Sequence, residues 1–337
     1  METTRSILKN LFYEFFKSIG SYYYYRVYKN KNKPLVLTYH GVVPKIIQNR
    51  PDYEYRNFVT VSQFERQIQF LLKKYRPLKV TDFLNSSRLE RGFLITFDDG
   101  FSNNYRYALP VLKKYNLQGC FFITTSLIGT KKFLWTDHVN RLIMNTNRKK
   151  IELELNKVEI FDLQTIRKKE FAAQKIRSYL KKLHPSKANN IIRNLNSEMS
   201  DVSANMKPEE EDRFLFMNWN EVREMIASDQ IVGSHTHTHP ILNPLSEEES
   251  YAEFKVSKEF IENNTGRPCE YIGYPNGEED DYSETHKRQL QELGYRIAFT
   301  QINPFKNYKN DLYELNRINI SLRKSMPVFE ASLSGFI

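Results

Sequence analysis

Two short stretches of this 337-residue chain combine side chains that can bind a metal and move protons. The first is Thr96-Phe97-Asp98-Asp99-Gly100, an apolar run that ends in two carboxylates and a glycine. Neighbouring carboxylates at a strand end point in different directions, so one can hold a cation while the other faces a substrate. Asp-Asp-Gly is equally good turn chemistry, and the stretch alone does not choose between these readings. The second is Gly233-Ser234-His235-Thr236-His237-Thr238-His239-Pro240, where three of the seven histidines fall within five residues. Imidazole is the commonest metal-binding side chain, and a catalytic zinc keeps three protein ligands and an open position. Two of these histidines with one carboxylate fit that pattern. An extended chain puts all three on one face, and a helical turn favours His235 with His239. Pro240 disfavours helical geometry at His239, so spacing leaves the pair open.

The elements that must position these groups alternate in type. Short apolar runs predict strands over 35–39, 93–97, 119–124, 230–233, 271–274, 295–300 and 315–322. Amphipathic stretches predict helices over 62–75, 107–115, 219–228, 246–263 and 282–293. Ser62 with Glu65 and Ser246 with Glu249 read as capping boxes, and Asn218 as a cap. This alternation means an α/β fold on a parallel sheet, open or closed into a barrel. His40, Asp98 with Asp99, the histidine cluster and Pro275 with Asn276 all follow strand ends, which in a barrel is the catalytic face. The rhythm breaks over about 137–213, a Lys-, Glu- and Asn-rich interval with helical periodicity that reads as an inserted helical segment.

A 40% hydrophobic content is enough for one large domain or two small ones. The net charge of +10 is spread over short runs such as Lys29-Asn30-Lys31-Asn32-Lys33. With no zinc-finger, helix-turn-helix or RNA-recognition signature, no nucleic-acid partner is expected. Cys120 and Cys269 are the only cysteines, which gives no disulfide framework and suits a reducing compartment. Residues 7–28 are rich in Leu, Phe and Tyr, but Lys9, Glu14, Lys17 and Arg26 interrupt them, unlike a signal peptide or a spanning helix. Leu8, Leu11, Phe12, Phe15, Phe16 and Ile19 recur at helical spacing. They describe either an interfacial membrane helix or a helix packed on the main domain. The chain thus divides into an amphipathic segment, 1–33, and a main domain, 34–337. The expected location is cytoplasmic, peripheral to the inner membrane.

With both motifs in this order, each after a strand, the chain resembles the polysaccharide deacetylases. These are the family-four carbohydrate esterases, which share a domain with the rhizobial Nod-factor deacetylase. The resemblance runs from about residue 34 to 322 apart from the insertion, and includes Trp219-Asn220-Glu221-Val222-Arg223, Gly273-Tyr274-Pro275-Asn276-Gly277 and Gly294-Tyr295-Arg296-Ile297-Ala298-Phe299-Thr300. It implies a distorted (β/α) barrel of about seven strands and removal of N-acetyl groups from an amino-sugar glycan or its lipid- or nucleotide-linked precursor. It also implies roles: Asp98 as catalytic base, and Asp99, His235 and His239 as ligands of one divalent ion. Zinc is the expected ion, with nickel, cobalt and manganese as alternatives. Thr236 would brace the histidine motif, and His237 matches a variable position. The main-chain N–H of Asn276 would form half of an oxyanion site, with Tyr274 beside it in substrate binding.

Two positions depart from the family pattern. Gly273 stands where the family has an arginine that orients the base, and Asn276 where it has an aromatic residue, so Asp98 is left without an assigned partner. The stretch 318–322 also lacks the histidine that serves as general acid. Thr38-Tyr39-His40-Gly41-Val42 instead matches the Tyr-His motif of the branch that contains poly-N-acetylglucosamine deacetylases, which implies His40 as the acid. These departures admit an alternative, a catalytically weakened glycan-binding or scaffold protein on the same fold.

Overall fold

The computed structural model describes residues 4–30, 33–46, 57–85, 89–203, 205–305, 311–322 and 324–336. The first strands are β1 (Leu35–Tyr39), β2 (Gly41–Val43), β3 (Phe58–Thr60), β4 (Arg76–Pro77), β5 (Gly92–Phe97) and β6 (Gly119–Ile123). They are followed by β7 (Lys150–Glu154), β8 (Val158–Asp162), β9 (Ile231–Ser234), β10 (Tyr271–Gly273), β11 (Ile297–Phe299) and β12 (Ile318–Asn319). The helices are α1 (Thr4–Ser18), α2 (Ser21–Tyr24), α3 (Val61–Lys74), α4 (Leu109–Lys114), α5 (Trp135–Asn145) and α6 (Ile166–Leu180). After these come α7 (Pro185–Glu198), α8 (Glu211–Phe214), α9 (Trp219–Ala227), α10 (Glu247–Thr265), α11 (Glu284–Glu292) and α12 (Met326–Ser334).

Eight strands form one parallel sheet in the order β11-β10-β9-β6-β5-β1-β12, with β4 beside β5. Strands β1, β5 and β6 are buried at every position. Continuous burial is what a parallel sheet covered on both faces requires, and it explains why these runs do not alternate with polar residues. The sheet curls into the distorted (β/α) barrel that the motifs imply, and one short stretch joins its two edges. Leu315 bridges to Phe299 at the end of β11, and its N–H donates to Ala298 O at 2.9 Å. A few residues on, Ile318 and Asn319 pair with Leu37 and Thr38 of β1. The predicted strand over 315–322 therefore becomes a seam, with only Ile318–Asn319 in regular pairing. Buried Lys287 on α11 holds the approach to this seam, at 3.0 Å from Asp311 and 2.8 Å from Glu314.

The caps at Asn218 and Ser246 form as full capping boxes. The cap of α3 is Thr60 rather than Ser62, because β3 leads straight into the helix and the Thr60 hydroxyl accepts from Gln63 N at 3.1 Å. The insertion differs from the expected all-helical segment: between α5 and α6 it contains the antiparallel hairpin β7–β8. Lys150-Ile151-Glu152-Leu153-Glu154 alternates exposed and buried, the period of a half-buried strand that its high charge disguises. Leu142, Ile143, Ile151, Phe161, Ile176 and Leu195 belong to a core of the insertion's own, which makes it a lobe beside the barrel.

At the N-terminus, α1 packs on α12. Tyr13, Tyr22, Val328 and Ala331 form a small buried cluster with Phe16 and Phe336 against it, and Lys17 pairs with Glu330 at 2.9 Å. Other apolar residues of α1 face outward: Ile7, Leu8, Leu11, Phe12 and Phe15, with Ile19 just after the helix, are 46–63% exposed. The helix thus packs through one face and presents a second apolar face to its surroundings. Among the described residues no helix is long and apolar enough to cross a membrane.

Candidate active site

Strand ends and tight backbone turns bring the two sequence motifs together. After β5, Asp98 N donates to Tyr39 O at 2.9 Å, and the chain turns through Asp99 (φ 75°) and Gly100 (φ 89°). A Cβ at position 100 would lie 3.0 Å from Ile123 Cβ, so this turn needs glycine. After β9, Thr236 (φ 64°) and His239 (φ 62°) are also left-handed, as is Asn276 (φ 59°) after β10. Such conformations cost about 1–3 kcal/mol each and persist where surrounding bonds over-determine them. Here Ser234 Oγ accepts from Thr236 N at 3.0 Å, and Thr236 Oγ1 accepts from His239 N at 3.1 Å. Glu253 on α10 accepts from the N–H groups of His237 and Thr238, each at 2.8 Å. Thr236 therefore braces the loop from within.

Asp99, His235 and His239 are buried, and one donor atom of each lies within 4.8 Å of the others. Asp99 Oδ1 is 3.6 Å from His235 Nε2 and 3.5 Å from His239 Nε2. Tetrahedral zinc with bonds of about 2.0–2.1 Å sets its donors roughly 3.4 Å apart, so this set fits such an ion. His235 Nδ1 donates to Gly273 O at 2.7 Å, which fixes the tautomer and leaves the Nε2 lone pair facing Asp99. Burial pushes the His235 imidazole down to about 4, so the ring is neutral, as a ligand must be. Burial alone would raise the Asp99 carboxyl, but the neighbouring His239, His40 and His235 imidazoles hold it below the usual carboxylate range. His237 stands apart, with its Nδ1 2.9 Å from Thr125 Oγ1 and its ring against Phe260. Of the three histidines, the fold brings His235 and His239, and not His237, beside Asp99.

Asp98 points the other way and meets a partner that the sequence did not disclose. Arg317, fully buried on the seam, donates from Nη1 to Oδ1 and from Nη2 to Oδ2, both at 2.8 Å. Gln301 Nε2 adds a third bond at 2.8 Å. Arg317 is itself fixed, through Nε to Thr300 O at 2.7 Å and Nη1 to Thr96 Oγ1 at 3.1 Å. Burial would raise the Asp98 carboxyl, but the Arg317 guanidinium, together with the neighbouring His235 and His40 imidazoles, outweighs it and holds the group below the usual carboxylate range. Gly273 could not play this part: a Cβ there would stand 3.0 Å from Phe122 Cδ2 and 3.3 Å from His235 Nδ1. Sequence offered one weak signal for Arg317, a lone charge at the start of a buried apolar run.

Asp98, the cluster, His40 and Asn276 all line one cavity of about 300 Å³. His40 Nδ1 is buried with no hydrogen-bond partner among the described residues. Trp135, Asp137, Arg177 and Lys181 of the inserted lobe form one wall. Tyr274 requires a correction, since it does not line this cavity. Its main-chain N–H still pairs with Phe299 O, its side chain is fully buried against Tyr282, and its hydroxyl donates to Tyr313 O at 3.1 Å. It continues the strand outward rather than into the site.

A family model described as polysaccharide deacetylase matches residues 85–298. The poly-beta-1,6-N-acetyl-D-glucosamine N-deacetylase of Staphylococcus aureus strain MSSA476 is 33% identical over 125 residues, covering 33% of this chain and 42% of that protein. The chain spans from 26% to 42% of the length of the curated relatives compared. Among solved structures, IcaB from Ammonifex degensii aligns with a TM-score of 0.57 and 19% identity, over 90% of this chain and 97% of the other. The Streptococcus pyogenes deacetylase PplD in complex with acetate aligns with a TM-score of 0.54 and 19% identity, over 89% and 97%. These structural likenesses establish a common fold.

The purified protein is expected to bind about one divalent ion per chain, measured by elemental analysis after dialysis against zinc. Asp99→Ala, His235→Ala and His239→Ala should each lose it, and His237→Ala should keep it. Full stoichiometry in His239→Ala with loss in His237→Ala would mean that the ligand set is wrong.

Proposed function

Since the chain belongs to the polysaccharide deacetylase family, we propose that it hydrolyses the N-acetyl groups of an amino-sugar glycan or of its lipid- or nucleotide-linked precursor. The observation that carries this reading is a buried carboxylate, Asp98, kept ionised beside a three-donor cation site within one cavity. A divalent ion held by Asp99, His235 and His239, zinc by its donor set, would lower the pKa of a water and polarise the acetyl carbonyl. Asp98, an acceptor only while ionised, takes the proton of the attacking water. The main-chain N–H of Asn276 donates to the developing oxyanion. His40 gives a proton to the departing amine, which leaves poorly without one. Acetate and a free amino sugar are the products. The alternative of a weakened scaffold protein has less support, because its main ground was a base without an orienting arginine, and Arg317 fills that part.

The same reading includes a peripheral position on the cytoplasmic face of an anionic membrane. Its support is the exposed apolar face of α1 together with the charge of residues 1–33, which hold seven Lys or Arg and two Glu. Apolar area and cationic neighbours both strengthen binding to anionic lipid.

Release of acetate from N-acetylhexosamine oligomers and glycolipids, followed with zinc-loaded protein, tests the activity. Asp98→Asn should keep the ion and lose nearly all turnover, and a near-wild-type rate would remove Asp98 from the role of base. His40→Ala should lower kcat by about 10²–10⁴-fold, with a smaller loss on an activated acetate ester whose leaving group needs no proton. An equal loss on both substrates would assign His40 a binding role.

Flotation with phosphatidylglycerol vesicles tests the membrane contact. Wild type should float, while Leu11→Glu/Phe15→Glu, which alters only the exposed face, should stay in the load fraction. Equal behaviour of the two would contradict it.

A further inference from the structure

The inserted lobe touches the barrel through side chains whose partners lie on, or next to, the loops that carry the site. Trp135 Nε1, at the start of the lobe, donates to the carbonyl of His239 at 3.2 Å. His184 Nε2 lies 2.9 Å from Glu249 on α10, one turn before the Glu253 that braces the His237–Thr238 backbone. Lys181, the residue that ends α6, donates to Asn276 Oδ1 inside the cavity. Asn276 is held from its other side as well, since its Nδ2 donates to Asp281, which also accepts from Glu278 N at 2.8 Å. A cation on Oδ1 and a carboxylate on Nδ2 permit a single orientation of this amide.

Asn276 is the residue whose main chain faces the reaction in the proposed mechanism, and it sits in a left-handed conformation at φ 59°. Its side-chain bonds add to the main-chain bonds of Tyr274, Gly277 and Gln301 in holding this strained turn. An aromatic residue at this position would lack the amide that accepts from Lys181 and donates to Asp281 at once, so the asparagine and the lobe act together.

We propose that Lys181 is a positioning residue for the deacetylation: it fixes Asn276, and through it the oxyanion-facing main chain, so that the inserted lobe is part of the catalytic site. This inference rests on the proposed activity for its kinetic consequence and on the bond alone for its structural one. The two arms of the test therefore separate.

The test uses full-length, zinc-loaded Lys181→Met, which keeps the aliphatic stem, with Lys181→Arg as the conservative variant. Lys175→Met serves as a control on the same helix, because Lys175 meets Glu159 and the Phe161 ring within the lobe and does not line the cavity. Hydrogen exchange read by mass spectrometry follows the segment around residues 274–277 and Gln301, where the N–H groups of Tyr274, Gly277 and Gln301 are all bonded. Lys181→Met should exchange about tenfold faster there, as loss of one charge-assisted bond allows, with strands β5 and β6 unchanged. Its kcat for acetate release should fall about tenfold or more at an unchanged KM, a fraction of what removing an oxyanion donor outright costs. Lys181→Arg should recover most of both, and Lys175→Met should match wild type in both.

Unchanged exchange at 274–277 overturns the proposal, whatever the rate. A rise in KM with unchanged exchange would make Lys181 a substrate contact instead. Faster exchange in a protein whose wild type releases no acetate would retain the positioning role and reject the deacetylase reading.

Discussion

The site depends on one interaction, the two-bond pairing of Arg317 with Asp98 inside the barrel. A carboxylate buried without a partner takes up a proton, and a protonated Asp98 could accept nothing from a water. Burying charge costs several kcal/mol per ion, which good geometry and further hydrogen bonds must offset. Both are present: two guanidinium bonds at 2.8 Å, and a third at the same length from Gln301. The arginine sits on the one stretch that joins the two edges of the sheet, so barrel closure and the charge state of the base are the same structural event. Lys287 gripping Asp311 and Glu314 steadies the approach to that stretch from the outside.

The adjacent carboxylates divide their work because the backbone reverses between them. Asp98 still follows the strand and meets Arg317 from β12's side of the barrel, whereas Asp99 is already left-handed and turns toward β9 and the histidines. Left-handed Thr236, His239 and Asn276 repeat this device on the neighbouring loops. Two of these loops are also tied by side-chain bonds from elements outside the sheet: Glu253 of α10 holds the His237 and Thr238 N–H groups between Thr236 and His239, and Lys181 of the lobe holds the Asn276 side chain. The catalytic geometry is thus held by the layer around the barrel as much as by the barrel itself.

Much of this was legible in the residues, for identifiable reasons. Largely apolar runs such as 93–97 and 119–123 read as buried strands in this context, and the caps at Asn218 and Ser246 mark helix starts locally. Asp98 with Asp99, and the three histidines, each form a local cluster in sequence, so both motifs are visible before any folding. Arg317 was not legible, because it lies 219 residues from Asp98 and only barrel closure brings them together. The β7–β8 hairpin was missed because exposed Lys150, Glu152 and Glu154 make a charge-rich run that resembles a solvated helix. Tyr274 was misplaced because its burial depends on Tyr282 and Tyr313, which no local pattern reveals.

The central claim is that Arg317 keeps Asp98 competent as a base. The kcat for acetate release by Arg317→Met, measured on protein with full metal content and a wild-type far-ultraviolet spectrum, tests it most directly. Arg317→Lys, which keeps the charge but not the paired bonds, serves if the methionine variant does not fold. The account predicts a loss of at least about 100-fold in the methionine variant, as general base catalysis contributes 10²–10⁴-fold, and a smaller loss in the lysine variant. Wild-type turnover in a folded, metal-loaded Arg317→Met protein would contradict it.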